Sequence, residues 1–200
     1  MENAAGIEGR IAARLKQLRS ERGLTLEVLA RQSGVSRSMI SLIERAESSA
    51  TAHVLDKLAA SLGVTLAGLF AEAARADAAP LARAADQPAW RDPETGYLRR
   101  NLSPSGFPSP LELVEVLLPA GARVAYDSGS RAAAIDQQVW VIAGEIEVTF
   151  GKEVHRLASG DCLSMRVDRP TAFRNRGRAE ARYLVALTSE ARAKAAGARR

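Results

Sequence analysis

Between residues 71 and 88 the spacing of apolar residues changes from a helical to a strand period, so the chain must build two differently packed units. Upstream, in IAARLKQLRSERG, Ile11, Leu15 and Leu18 share one helix face and Gly23 closes the run. Thr25, Ser36, Thr51 and Thr65 each stand at an N-cap position, ahead of LEVLARQS, RSMISLIER, AHVLDKLAASLG and LAGLF. The pattern predicts five short helices joined by tight turns over residues 8–70. Residues 71–88 lose the apolar period and fill with Ala, Arg, Asp and Pro, the composition of a linker. From residue 89 to 190 the segments LELVEVLLP, QQVWVIAGEIEVTFG, GDCLSMRV, TAFRNRG and ARYLVALTS alternate or are rich in branched residues, with Pro, Gly, Asp and Asn between them. That is the pattern of an all-β sandwich or barrel. Residues 191–200 form a basic tail. The expected fold class is α+β in two domains, all-α first and all-β second.

Two small cores are possible in 200 residues of which 46% are hydrophobic. No apolar run approaches the roughly 18 residues of a membrane span, and MENAAGIEGR lacks the order of a signal peptide, so a cytoplasmic location is expected. Cys162 is the single cysteine, which excludes an intrachain disulfide and a cysteine-rich zinc site and suggests a packing role. The net charge of +5 sits at the ends: residues 77–190 carry 14 basic against 15 acidic side chains, whereas the last ten residues carry 4 basic and no acidic ones. The β unit therefore has no bulk attraction for phosphate.

LEVLARQSGVSRSMISLIE carries the sharpest motif. Ala30 sits where two helices approach closely, Gly34 where the turn requires positive φ, and Leu29, Val35, Ile40 and Ile43 supply the contacts between the helices. Ser33 is unusual, because an apolar residue is the commoner choice just before the turn glycine. With SRSMISLIERAESS, residues 8–70 resemble the five-helix DNA-binding domain of the Cro/phage-repressor (XRE) family. The resemblance implies a recognition helix entering the major groove of double-stranded DNA N-terminus first, with Ser36 at its start and Arg37, Ser38 and Ser41 toward base edges. Arg37 can donate two parallel hydrogen bonds to guanine O6 and N7 and is expected to carry most of the specificity. Thr25, Arg45, Ser48 and Ser49 match positions that commonly hold phosphates. Arg19 and Glu44 match an internal salt bridge of the family. His53 has no second ligand nearby and reads as a surface or packing residue.

The later stretches IAGEIEVTFG and SGD, followed by Pro170 and FRN, resemble the cupin superfamily, a double-stranded jelly-roll barrel whose motifs normally supply three His and a Glu to one metal. Here Gln137 takes the Glu position, Ser130 and Ala132 lie near the usual His pair, and Thr171 replaces the last His. Amide, hydroxyl and methyl groups are poor ligands, and His155 lies outside both motifs, so no metal and no cofactor are expected. Alternation directs Gln137, Val139 and Val141 to one face and Trp140 to the other, where it would pack between sheets or in a subunit interface. Gln137, Val139, Arg166 and Thr171 are the expected lining of an effector pocket.

A repressor-type DNA reader joined to a cupin barrel resembles bacterial one-component transcription regulators, in which the barrel senses a small molecule and dimerises the chain. The expectation is a homodimer on a near-palindromic operator, acting as a ligand-responsive repressor and not as an enzyme. The alternatives are a barrel that serves only dimerisation or protein docking, and a cupin enzyme.

Overall fold

The computed structural model describes residues 2–70, 77–126 and 135–189. Its helical unit comprises α1 (Glu2–Glu21), α2 (Leu26–Ser33), α3 (Arg37–Glu44), α4 (Ala52–Ser61) and α5 (Leu66–Phe70). Helix α1 begins earlier than residue 8, and Ile7 extends the buried row formed by Ile11, Leu15 and Leu18. Against that row pack Leu29, Ile40, Ile43, Leu55 and Leu58, all at most 3% exposed. Truncating one such leucine to alanine in a close-packed core costs about 2–5 kcal/mol.

The helix starts follow from local chemistry. The Thr25, Ser36 and Thr51 hydroxyls accept from the backbone N–H of Val28, Met39 and Val54 at 3.2, 3.2 and 3.4 Å. Helix α2 ends on Gly34 at φ 68°, whose N–H returns to the Ala30 carbonyl at 2.9 Å. Ser33 fits its buried position because its hydroxyl donates to the Leu29 carbonyl at 2.7 Å and accepts from the Val35 N–H at 3.2 Å. The polar atom is satisfied within the motif, so an apolar residue is not required there.

Among the described residues the second unit has ten strands: β1 (Ala89–Arg91), β2 (Leu98–Asn101), β3 (Leu111–Leu118), β4 (Arg123–Tyr126), β5 (Ile135–Ala143), β6 (Glu145–Phe150), β7 (Glu153–Ala158), β8 (Cys162–Arg166), β9 (Thr171–Arg174) and β10 (Ala181–Ser189). They form a six-stranded sheet, β1-β2-β3-β10-β5-β8, facing a four-stranded sheet, β4-β9-β6-β7, with every pair antiparallel. This is the expected jelly-roll arrangement. Gly144, in the turn between β5 and β6, has φ 79°, and a Cβ there would lie 3.1 Å from the Ala181 Cα. Both the backbone conformation and the close approach of β10 require glycine. Asn175 is buried and bonds the carbonyls of Leu118 and Ala179 and the N–H of Gly177, which makes the FRN stretch a structural corner.

One expectation for the outer face is corrected: Cys162 on β8 is exposed rather than a packing residue. Its register partner Trp140 is 47% exposed, which excludes packing between the sheets and leaves the subunit-interface alternative. Both lie on the outward phase of their strands, opposite to the buried Val139 and Val141.

The units share one continuous core. Phe70 at the end of α5 meets Trp90 at 5.6 Å between ring centroids, and Trp90 meets Tyr97 at 6.0 Å. Asp92 accepts from the Ala52 N–H at 2.9 Å, tying the first turn of α4 to the barrel. Of the expected linker, residues 71–76 lie outside the described residues, and 77–88 contain a short 3-10 turn at Ala84–Asp86. The tail, residues 191–200, also lies outside them. No helix among the described residues is long and apolar enough to cross a membrane.

Candidate nucleic-acid interface and inter-domain cavity

Helix α3 buries Ile40 and Ile43 and leaves its first turn, Ser36, Arg37, Ser38 and Met39, exposed. The Ser36 hydroxyl caps the helix and lies 3.2 Å from that of Ser38. Among the described residues the charged partner of Arg37 is Glu27, at 4.0 Å, and the two side chains are 67% and 80% exposed. A pair so open to solvent contributes little, so the guanidinium can exchange it for another acceptor.

The helix is fixed from behind. Arg19 on α1 grips Glu44 with two parallel bonds, Nε to Oε1 at 2.6 Å and Nη2 to Oε2 at 2.9 Å, and donates Nη1 to the Leu24 carbonyl at 2.8 Å. The side chains are only 16% and 7% exposed, and the bond to Glu44 raises the Arg19 pKa further above its ordinary value. This is the internal bridge that the family resemblance implies.

The positions expected to hold phosphate differ among themselves. Thr25 and Ser49 are exposed and Ser48 is half-buried. Arg45 donates to both carboxylate oxygens of Glu47 at 2.8 Å and to the Ser41 hydroxyl at 2.5 Å, so a phosphate contact from Arg45 would displace Glu47. Ser49 hydrogen-bonds the carboxyl of Glu8, a group whose pKa burial raises. Met39, on the open first turn of α3, is also exposed, at 36%.

Between the units lies an open-mouthed cavity. From the barrel, Gln137, Thr171, Tyr126 and Tyr183 line it. From the helical unit, Asp56 on α4 and Thr65, Leu66 and Ala67 at the start of α5 do so. Burial holds the phenols of Tyr126 and Tyr183 well above their ordinary pKa, so both stay protonated. Val139 is fully buried and is not among the residues that line the cavity. Arg166 is a correction: Met165 and Val167 take the inward phase of that segment, and Arg166 is exposed. The cation in the cavity is Arg99 of β2, which alternation alone could not distinguish from Arg100 as the inward residue.

At the two positions that the cupin resemblance assigns to metal ligands, Gln137 and Thr171 bring an amide and a hydroxyl to the cavity, and neither suits a transition metal. Ser130 and Ala132 lie outside the described residues. His155 is on β7, with Nε2 3.5 Å from Glu153 Oε2, away from the cavity. His53 is half-buried on α4. Among the described residues no three His, Cys, Asp or Glu side chains form a metal-binding group.

Residues 15–69 match the helix-turn-helix family HTH_3. The chain is similar to the HTH-type transcriptional regulator SutR of Escherichia coli (strain K12), with 29% identity over 178 residues covering 88% of this chain and 92% of that protein. The crystal structure of an HTH_3 family transcriptional regulator from Vibrio cholerae has a TM-score of 0.72 at 24% identity, covering 92% of this chain and 97% of that one, which shows a common fold. Hydroxypropylphosphonic acid epoxidase from S. wedmorenis covers 94% of this chain and 100% of its own, but at 19% identity and a TM-score of 0.44 that likeness carries no argument about chemistry. Residues 15–69 thus form an HTH_3-type helix-turn-helix domain ahead of a jelly-roll barrel, in a chain that matches an HTH-type transcriptional regulator over most of both lengths.

Proposed function

We propose that this DNA-binding transcriptional regulator reads a near-palindromic operator as a homodimer, with Arg37 as the main base-reading side chain and the barrel as dimerisation and effector unit. The observation that carries this reading is the open first turn of α3, presented on a helix that the Arg19–Glu44 bridge holds from behind. Ser36, Ser38 and Ser41 stand beside Arg37 for short hydrogen bonds, and Thr25, Arg45, Ser48 and Ser49 form the surrounding phosphate-facing set. A single module offers few base contacts, whereas a two-fold dimer reads half-sites about 34 Å apart or a multiple of that. Repression by occupying a promoter is the expected sense.

The donor chemistry at Gln137 and Thr171 supports a sensor rather than a metalloenzyme, and the chain works in the cytoplasm, where its DNA is. The test of the whole reading is selection from a random DNA pool at fixed salt, scored for two-fold symmetry. A palindromic consensus is expected, and a pool that yields none overturns the operator model. Stoichiometric iron or manganese in the purified protein would overturn the non-enzymatic reading of the barrel.

A further inference from the structure

We propose that the inter-domain cavity is a binding site for a small monocarboxylate, gripped by Arg99 and walled on one side by α4 and α5 of the DNA-reading domain. The inference rests on the regulator reading above and names the ligand class and the route of coupling.

Arg99 points inward from β2, is 6% exposed, and stacks its guanidinium 5.8 Å from the centroid of Phe70, the last residue of α5. Its Nε and Nη2 are buried and make no hydrogen bond to the described residues. Buried guanidinium donors without acceptors are strongly unfavourable, so a site that keeps them is arranged for an acceptor it does not itself supply. Nε–H and the adjacent Nη2–H lie on one edge of the guanidinium and point the same way, at the separation of two carboxylate oxygens. Arg19 uses that same edge to hold Glu44 at 2.6 and 2.9 Å, so the chain already contains the geometry proposed for the ligand.

The charge of the cavity narrows the class. Among the described lining residues Arg99 is the cation and Asp56 an anion, so a monocarboxylate brings one surplus negative charge and a dianionic phosphate two, at low dielectric. Val116, Phe173, Val185 and Leu187 give the rest of the wall an apolar character that suits a short hydrocarbon tail, with Gln137 and Thr171 as polar ends. An occupant would touch Thr65, Leu66 and Ala67 together with Arg99, so it would favour the docked arrangement of the two units over any other.

The test uses the full chain, with sodium propionate, butyrate and hexanoate, their neutral amides, inorganic phosphate and sulfate, all at constant ionic strength. At a hundredfold excess over Kd, a carboxylate should raise Tm saturably by about 5–10 °C, and the matching amide should not. Arg99→Met should abolish the response. Gln137→Glu, at a half-buried position, should weaken carboxylate binding at least tenfold by placing a second anion in the cavity, and Gln137→Asn should not. The inference is overturned if amides act as well as acids, if phosphate or sulfate binds more tightly than every carboxylate, if Arg99→Met keeps the response in a folded protein, or if no carboxylate gives a saturable shift. Operator selection is run in parallel on the unliganded wild type. A consensus without a carboxylate response sinks this inference alone, and a carboxylate response without a consensus sinks the operator reading alone.

Discussion

Thr65, at the start of the last helix of the DNA-reading domain, donates its hydroxyl hydrogen to Glu112 Oε2 on β3 at 2.9 Å while the same oxygen accepts from the Gly68 N–H at 2.8 Å. One buried hydroxyl therefore caps α5 and bonds the helical unit to the barrel. Thr65→Val keeps the shape and removes both bonds, one of them to a carboxylate that is 4% exposed. The expected loss is about 1–3 kcal/mol, read as a lower urea midpoint. Because the units share one core, the helical far-UV signal and the tryptophan fluorescence should move together. Separate transitions would show that the units unfold independently.

Arg37→Ala tests the base-reading assignment without disturbing the fold, since among the described residues its close charge is Glu27 at 4.0 Å and both side chains are open to solvent. Binding to the selected operator should weaken by about 1–3 kcal/mol, with preference relaxed at one base position and Tm unchanged. An unchanged sequence logo in the variant would show that another residue reads that base.

Glu44→Ala should also abolish operator binding, but by a different route. It leaves the Arg19 guanidinium, 16% exposed, without its bidentate partner, at a cost of about 3–5 kcal/mol. Thermal melting separates the two cases: Glu44→Ala lowers Tm, whereas Arg37→Ala does not. The double variant Arg19→Met, Glu44→Leu should recover most of the lost stability, because apolar replacement removes both desolvated charges together.

The contrast between the two halves in how far the sequence could be read has a physical origin. Thr25, Ser36, Thr51 and Gly34 act on backbone groups within four residues, so the helices and the helix-turn-helix were legible from short windows. Strands β3, β5, β6, β8, β9 and β10 were legible because their alternation or branched residues are pronounced. Strands β1, β2, β4 and β7 are short or polar, as in LRRN, and β2 and β4 also depend on partners farther along the chain, Val116 opposite Arg99 and Phe173 opposite Val124. Alternation states that Arg99 and Arg100 face opposite ways, but not which one faces inward. It also left open that Met165, rather than Arg166, would fill the inward phase on β8. A cavity walled by Thr65 and Thr171 joins residues from different domains and has no local sequence signature.

The outer face of the six-stranded sheet gives a pH prediction. Burial acts to raise the Glu115 carboxyl, but hydrogen bonds from Arg182 and Arg100 outweigh it and hold its pKa below the ordinary carboxylate value. A carboxylate depressed in the folded state contributes stability that is fully present above its unfolded pKa of about 4.3 and is lost as pH falls through the lower folded value. Glu115→Gln removes this contribution and leaves two arginines facing a neutral amide, so at pH 7 it should cost about 1–3 kcal/mol. Other carboxylates titrate in the same range, and subtracting the variant's curve from that of the wild type isolates Glu115. Urea unfolding at pH 7, 5, 4 and 3 should show a constant difference from pH 7 to 5 that shrinks between pH 4 and 3. A difference that persists undiminished at pH 3 would mean that Glu115 stabilises the sheet through packing rather than through its charge.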